Sequence, residues 1–405
     1  MDSSTCRLGF FTYLCITKIR RVKFINTLII MTLTNQLSPR VEIVGSFLPP
    51  EELEQAIEQK CQGNLSIDEL HTIEDRVIDR LIDREIEAGL SIVTDGEMRR
   101  KAWDRDFWEG LDGMSRERID TGRIYQDDPV HHDLLRFSGR IKYNPEHPFF
   151  EKFSHMQELA AGRASVRQTI PSPGELYMRI MMMTNGEPAK IYESPETLEE
   201  DIIEAYRLTI NELYRRGCRY IQLDSSVWGR LSEPEFEKIL LLGGMDPDVI
   251  TETLLRLLNT TLAGTPDDLE VTLSIAADET RTPRWGDEKE LRHLIKMLEN
   301  VDTDAFLLPF DLREPQHTEV LSHLPAGKRA ILGLVDGSIA GLENVDDIVE
   351  TVNAASHHMD PAYISISPTC GFKVRNRERQ GLNYETQWTK INLLEKAAEK
   401  LRTQK

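Results

Sequence analysis

The stretch Tyr363–Lys373 reads YISISPTCGFK, a short apolar run that ends in a turn containing Pro, Cys and Gly. Seven earlier runs end in polar or turn residues in the same way: VEIVGSF (41–47), LSIVTDGE (90–97), VRQTIPSP (166–173), YIQLDS (220–225), EVTLSIAA (270–277), AFLLPF (305–310) and AILGLVDG (330–337). Short runs rich in Ile, Leu and Val are typical of parallel strands that are buried on both faces. The sequence therefore predicts eight such strands.

Helical patterns fill the connections between these runs. Apolar residues recur at spacings of three and four in 66–88, 195–216, 287–298, 345–355 and 386–401, with charged residues on the other face. Eight strands that alternate with helices predict an α/β fold, the closed (β/α)8 or TIM barrel. A doubly wound open sheet is the alternative. It usually carries a Gly-rich phosphate loop after its first strand, and VGSF (44–47) is not such a loop.

Two segments do not follow the repeat. Residues 1–40 are basic and apolar, and we predict a disordered or artefactual N-terminal extension, with Met31 as the true start. A membrane-associated tail is the alternative, although neither apolar run is long enough to span a bilayer. Residues 99–162 are too long for one connection and show no clear strands, which predicts a helical insertion after the second strand that covers the barrel mouth, partly as a lid. The barrel domain then spans 41–405.

Composition limits the partners and the compartment. The 405 residues carry a formal net charge of −19, which argues against nucleic acid and anionic membranes because an acidic surface gains nothing from their phosphates. The five cysteines are scattered and form no CxxC pair, so we expect a reducing cytoplasm rather than a disulfide framework. A small molecule is the expected partner, and composition does not predict an oligomeric state.

Polar residues at the strand ends are the candidates for chemistry, because the C-terminal ends of barrel strands converge on one face. The predicted rim consists of Ser46, Asp95, Glu97, Ser172, Asp224, Ser274, Asp278, Asp311, Asp336 and Cys370. Carboxylates that are buried beside like charges can do acid–base chemistry near neutral pH, and a thiolate can bind a metal or attack an electrophile. Taken singly, each carboxylate could instead cap a loop, and Cys370 could be a small buried thiol. The basic run 99–101 could hold an anionic substrate or could simply be solvated.

Six motifs occur together in one order: VGSF (44–47), VTDGE (93–97), TIPSP (169–173), GCRYIQLDSSVW (217–228), LGLV (332–335) and SPTCGF (367–372). From residue 41 to about 401 the chain resembles the C-terminal catalytic barrel of the cobalamin-independent methionine synthase family, and most closely its short stand-alone members. The resemblance implies a methyltransferase in which zinc activates a thiol acceptor and a methylated folate is the donor. By motif, Cys370 matches a zinc ligand, Ser46 and Glu97 match contacts to an amino-acid substrate, and Asp224 matches the carboxylate that receives the substrate amine. Asp95 and Ser172 are further substrate-binding candidates.

The chain departs from the family at the metal. Where the family has a His-x-Cys ligand pair, this sequence has Ser274 and Ala276, and Pro309 stands where the family has a Glu ligand. The family's proton-donating His after the seventh strand has no counterpart here. Cys370 is thus the one retained ligand, with Asp278 and Asp311 as candidates for an oxygen-rich site that would suit iron or manganese better than zinc.

Three functions follow from these observations. The first is a methionine-synthase-like methyltransferase with an atypical metal site, in which Cys370, Asp224 and Glu97 are catalytic and the acceptor is a thiol or a related amino-acid-like molecule. The second is a metal-free lyase or decarboxylase on the same barrel, and the third is a non-catalytic ligand-binding homologue. An amino-acid-like or zwitterionic ligand is expected under all three.

Overall fold

The computed structural model describes residues 39–120, 131–182, 188–275, 291–373 and 381–404, without the side chains of 118–120 and 131–134. The predicted extension 1–40 therefore lies outside the described residues except for its last two. Asp278, a candidate metal ligand, also lies outside them.

The core is a parallel sheet that curls around the centre of the molecule. In chain order the described strands are β1 (Ile92–Val93), β2 (Asp112–Asp120), β3 (His131–Lys142), β4 (Ser165–Pro171), β5 (Tyr220–Asp224), β6 (Glu270–Ser274), β7 (Ala305–Pro309), β8 (Arg329–Val335) and β9 (Ile364–Pro368). Seven of them pair in parallel in the order β1, β4, β5, β6, β7, β8, β9. A doubly wound sheet would reverse its strand order, whereas this order follows the chain. The predicted barrel is confirmed.

Residues 40–47 close the barrel between β9 and β1. On one side, Glu42 N donates to Ile366 O at 2.9 Å, and Ile366 N donates to the carbonyl of Arg40. On the other side, Phe47 N donates to Gly96 O at 2.9 Å. The first predicted strand, 41–47, is reduced to a single ladder bridge between Val41 and Ile366. Side chains inside the barrel replace some of the missing backbone hydrogen bonds, because Arg167 and Gln222 donate to the carbonyls of residues 43 and 44.

The second predicted strand, 90–97, is also shorter than expected. Only Ile92–Val93 pairs with β4, because the backbone then turns through Gly96 and Glu97, both at positive φ. The backbone N–H of Thr94 donates to the Glu85 carboxylate instead of to a neighbouring strand. The turn ends the ladder and places Glu97 at the mouth of the barrel.

Although residues 287–290 of the segment 287–298 lie outside the described residues, the described helices include one for each of the five periodic segments of the sequence. They are α1 (Glu51–Cys61), α2 (Ile67–Glu87), α3 (Arg105–Trp108), α4 (Pro148–Ala160), α5 (Pro173–Met181), α6 (Pro188–Ile191), α7 (Pro195–Arg215), α8 (Ser226–Arg230), α9 (Pro234–Leu242), α10 (Pro247–Leu262), α11 (Arg292–Asn300), α12 (Val345–Ala355) and α13 (Tyr384–Thr403), with 3-10 turns at Pro315–His323 and Pro361–Tyr363. A capping box of Ser66 and Glu69 starts α2, which buries its apolar stripe. None of the described helices is long and apolar enough to cross a membrane.

The insertion after β1 is helical in part. It contains α3 and α4, and it also contains an antiparallel hairpin of β2 and β3 that the sequence pattern does not predict. The two hairpin strands are rich in charged residues and lack the apolar run of a buried strand, so periodicity gives no signal. Hydrogen bonds join the insertion to the rest of the chain: Trp108 Nε1 donates to Tyr206 OH at 3.0 Å, and Ile141 N donates to Tyr192 OH at 2.7 Å. The guanidinium carbon of Arg100, beside the barrel mouth, lies 4.9 Å from the ring centroid of Phe149 in α4.

Charged side chains fill the opposite, N-terminal end of the barrel. We call Arg40, Glu42, Arg167, Glu270 and Arg329 the basal charge cluster. Glu42 is fully buried and accepts hydrogen bonds from all three arginines, and Arg329 also donates to Glu270 at 2.6 Å. Burial alone would raise the pKa of Glu42, but Arg40, Arg329 and Arg167 together hold that pKa well below its usual range. The cluster is therefore a network that is ionised at neutral pH and that ties the closing segment to β4, β6 and β8.

Candidate active site

The C-terminal strand ends meet at one level, which brings residues from distant parts of the chain together. Asp224 pairs in register with Pro171 of β4 and Ser274 of β6. Ser172 N donates to Asp224 O at 2.8 Å, and Ser225 N donates to Ser274 O at 2.8 Å. The backbone of Asp224 is thus held from both neighbouring strands, which gives its side chain a rigid base at the barrel mouth.

Glu97 is held in an unusual backbone conformation at this mouth. Its φ is 54°, a left-handed value that is costly for a residue with a side chain and that persists only where surrounding contacts enforce it. Its Oε1 atom accepts hydrogen bonds from Arg100 Nη1 at 3.0 Å and from Thr169 Oγ1 at 3.1 Å. Gly45 packs against the same carboxylate, since a Cβ at Gly45 would lie 3.1 Å from Oε1. The strain and the network together orient one carboxylate, as is common at functional sites.

Asp224 provides a second carboxylate close to the first. Its desolvated position raises the pKa of this carboxyl to about 7, and the nearby charge of Glu97 adds to the rise. A hydrogen bond from Gln222 Nε2 at 2.7 Å and the charge of Arg100 oppose it. The hydroxyl of Ser274 is buried next to Asp224 and also lowers its pKa, although the two side chains are not aligned for a well-formed hydrogen bond. Asp224 can therefore change its protonation near neutral pH.

Ser46 and the Cys370 loop lie together on the next side of the mouth. Phe372 N donates to Ser46 O at 2.8 Å, and Lys373 N donates to Ser46 Oγ at 3.3 Å. Lys373 Nζ donates in turn to Arg100 O at 2.6 Å, which links this loop to the Glu97 network. Cys370 Sγ lies against Gly337 in the loop after β8. The two family-matched positions at opposite ends of the chain are thus one structural unit.

Gly371 is required by this contact. A Cβ at Gly371 would overlap Ser46 Oγ and would lie 3.1 Å from Ser46 N, which is backbone and cannot rotate away. We expect Gly371→Ala to lower the free energy of unfolding by about 1–3 kcal/mol, because the close contact must be relieved by moving backbone. Gly139→Ala is the control, since a Cβ there meets open space, and its change should stay within about 0.5 kcal/mol. Urea unfolding measures both, and equal stabilities would show that the Ser46 contact is not tight.

Other predicted rim residues have local structural partners. Ser172 is buried, and its hydroxyl caps α5 by accepting from Glu175 N, while Asp95 Oδ1 accepts from Glu97 N at 2.9 Å. Asp311 is paired with Arg313 on the outside of its loop, and Asp336 accepts from Ser338 N. These bonds leave Asp95 and Ser172 as supports of the turn and the strand end beside Glu97 and Asp224.

The two arginines of the basic run 99–101 are paired with carboxylates. Arg99 pairs with Glu74 at 3.2 Å and with Asp75, and Arg100 pairs with Glu97. Arg100 is only 5 % exposed, so it acts as the fixed countercharge of the Glu97 carboxylate. Arg99 and Arg100 are therefore not available to hold an anionic substrate, one of the two roles that the sequence allows for this run.

The residues present do not fit the zinc site of the family. The Pro309 side chain at the end of β7 has no atom that can bind a metal, and Ser274 offers one hydroxyl where the family has an imidazole. A structural or catalytic zinc needs three or four N, S or carboxylate ligands, and no group of three such residues occurs within the described ranges. Asp311 is engaged by Arg313 and is not grouped with Cys370 among the described residues.

Several site residues escape sequence reasoning that looks only at strand ends. Gln222 contacts Asp224 from within β5, and Thr169 contacts Glu97 from within β4. Each stands two residues before the last residue of its strand and therefore shares a face with it, so both side chains point into the barrel. Polar residues at alternate positions of an apolar run, as in 220–224, are the signal that could have found them.

Known proteins with similar sequence or structure cover nearly the whole barrel. No protein-family model matches the chain. The uncharacterised protein YxjG of Bacillus subtilis (strain 168) is 30% identical over 356 residues, which are 87% of this chain and 92% of that protein. A methionine synthase of Sulfolobus acidocaldarius is 22% identical over 345 residues, 83% of this chain and 86% of its own length. A proposed vitamin-B12-independent methionine synthase from Listeria monocytogenes has a solved structure with a TM-score of 0.69 and 26% identity, covering 89% of this chain and 96% of that chain.

Proposed function

The chain belongs to the cobalamin-independent methionine synthase family, and on this premise we propose that it transfers a methyl group to an amino-acid-like acceptor bound at the barrel mouth. The observation that carries this proposal is the pair of carboxylates, Glu97 and Asp224, which lie close together while only Glu97 forms an ion pair with Arg100. Arg100 offsets one carboxylate. A substrate ammonium would offset the other and would lower the pKa of Asp224 from about 7 towards its ordinary value.

The Ser46 side supports the other end of such a substrate. The Ser46 hydroxyl accepts a hydrogen bond from Lys373 N, so it retains its own proton for donation to an acceptor. A substrate carboxylate is an acceptor of this kind. An ammonium at Asp224 and Glu97 and a carboxylate at Ser46 together define a zwitterionic α-amino acid, and its side chain would then extend towards Cys370.

A methylated folate is the proposed methyl donor, and the cytoplasm is the proposed compartment. No metal step is included, because Ser274 and Pro309 stand where the family has ligands. The chain's own residues bind and orient the acceptor: Asp224 and Glu97 hold its ammonium, and Ser46 fixes its carboxylate.

One observation favours a second candidate, a metal-free lyase or decarboxylase. An Asp whose pKa lies near 7 exchanges its proton readily at neutral pH, which suits general acid–base catalysis on a bound amino acid. Such a reaction needs no methyl donor. A homologue that only binds its ligand is the remaining alternative.

Ligand binding tests the pocket directly. We expect L-methionine and L-homocysteine to bind at least about tenfold more tightly than 4-(methylthio)butanoate, the methionine analogue without the amine, because only the amino acids satisfy Asp224 and Glu97. Isothermal titration calorimetry measures the affinities, and mass spectrometry of a mixture with homocysteine and a methylated folate detects the methionine formed. Carbon dioxide or an elimination product without methionine would support the second candidate instead. Equal affinity for the amine-bearing and amine-free ligands would overturn the pocket assignment.

Metal content tests separately whether the residues at the mouth can bind zinc. We expect protein purified without a histidine tag or chelator to hold far less than one zinc per chain, because the described mouth lacks the required ligands. Elemental mass spectrometry gives this ratio. Near-stoichiometric zinc would contradict the expectation and restore the family's metal mechanism, whereas iron or manganese would indicate a re-purposed site around Cys370.

A further inference from the structure

We propose that Gln222 is a positioning residue that holds Asp224 Oδ1, and that Arg167 and the Val44 carbonyl together fix which end of the Gln222 amide faces Asp224. The inference deepens the proposed function, because Asp224 is the residue to which that function assigns the substrate amine. It also extends the site from the strand ends into the barrel interior through Gln222, and to the basal charge cluster through Arg167.

The geometry of β5 brings Gln222 and Asp224 to the same side. They are two residues apart in a strand, so their side chains point to one face, which here is the inside of the barrel. Gln222 is fully buried, and its Nε2 donates to Asp224 Oδ1 at 2.7 Å and to the carbonyl of Val44. Its Oε1 accepts from Arg167 Nη1 at 3.4 Å. Every polar atom of the amide therefore has a partner.

The chemistry of these partners leaves one orientation for the amide. A guanidinium can only donate, so the oxygen of Gln222 must face Arg167. A backbone carbonyl can only accept, so the NH2 group must face Val44, and with it Asp224. Arg167 is itself 1 % exposed and held by Glu42. A continuous buried line of hydrogen bonds thus runs from the basal charge cluster to the barrel mouth.

This line affects the charge of Asp224, because a donor hydrogen bond favours the ionised form of a carboxyl. The other groups that face Asp224 are Glu97, which raises its pKa, and Arg100 and Ser274, which lower it. Removing the Gln222 donor leaves the desolvation and the Glu97 charge less opposed. Asp224 would then be protonated at neutral pH more often, and an ammonium ligand would have to displace that proton.

The test measures the titration of Asp224 directly and needs no substrate. In protein labelled with ¹³C at the aspartate carboxyls, the Asp224 resonance is identified by its loss in Asp224→Asn. We expect Gln222→Met to move its midpoint upward by about one pH unit, because the lost bond is one to a charged group. Gln168→Met is the control: Gln168 is another buried strand glutamine, and its amide donates to Thr169 O rather than to Asp224.

A second variant, Gln222→Glu, and a second measurement, methionine affinity, test the same role of Gln222. Gln222→Glu has the same size, can pair with Arg167 and cannot donate to Asp224 when ionised, so it too should move the midpoint upward. Methionine affinity should fall about tenfold in Gln222→Met at pH 7 and recover at pH 9, where Asp224 is ionised again. Midpoints unchanged in both Gln222 variants, or equal to that of Gln168→Met, would overturn the inference. Titration shifts without any methionine binding would instead uphold Gln222 and overturn the proposed function.

Discussion

Replacing Glu42 with alanine is expected to leave the barrel unable to fold at 37 °C. The fully buried Glu42 carboxylate is the shared acceptor of Arg40, Arg167 and Arg329. Its removal leaves one carboxylate, Glu270, for three guanidinium groups, and breaking a single buried pair already costs about 3–5 kcal/mol. That loss is a large part of the total stability of most domains. Circular dichroism and the soluble yield measure the outcome.

The matched control is a carboxylate that is paired with an arginine at the surface. Glu204 pairs with Arg207 on the exposed face of α7, and Glu204→Ala should cost no more than about 1 kcal/mol. The pH dependence follows from the low pKa of Glu42: its stabilisation is complete above the unfolded carboxyl pKa of about 4.3 and is lost as the pH falls below it. A Glu42→Ala protein as stable as Glu204→Ala would show that the basal charge cluster is not required for closure.

Replacing Asp224 with asparagine is expected to reduce methionine affinity about a hundredfold, because the amide keeps the shape of the side chain but cannot offset an ammonium. The same change should raise the free energy of unfolding of the ligand-free protein by about 1–2 kcal/mol at pH 8. The sign follows from the raised pKa: the folded state holds a proton up to about pH 7, whereas the unfolded chain loses it near pH 4, so ionisation opposes folding at higher pH. Calorimetry and urea unfolding at pH 8 measure the two effects.

The control for this variant is Asp311→Asn. Asp311 also follows a barrel strand, but its carboxylate is engaged by Arg313 in the same loop. We expect less than about a twofold change in methionine affinity. Binding that is unchanged in Asp224→Asn would contradict the assignment of the amine, and lower stability at pH 8 would contradict the raised pKa of Asp224.

The barrel was predictable because its strands are buried on both faces and therefore appear as apolar runs. The predicted strands at 220–225 and 363–370 contain the whole of β5 and β9, with at most two additional residues at an end. The runs at 41–47 and 90–97 look the same in sequence but form little ladder, since interior amides and guanidinium groups occupy their carbonyls or the backbone turns through positive φ. Those bonds join residues more than a hundred positions apart, and no local pattern contains them.

The convergence of the candidate site residues was predictable in the same way. Asp224, Glu97 and Ser46 stand at strand ends, and strand ends converge in any barrel. Gln222 and Arg167 could not be assigned from the sequence, because their roles depend on which interior side chains meet across the barrel. Alternation within a strand shows that two residues share a face, but only the closed sheet shows which partner each one finds.

The first part of the barrel is held by the last helix. Leu48 N donates to Gln387 Oε1 of α13 at 2.8 Å, a bond between residues 339 positions apart. A ribosome makes Leu48 339 residues before it makes Gln387. Over that interval the nascent chain carries the apolar segment around Leu48 without this partner, and contacts of such separation form slowly. We therefore expect that chaperone protection of this segment raises the cellular yield.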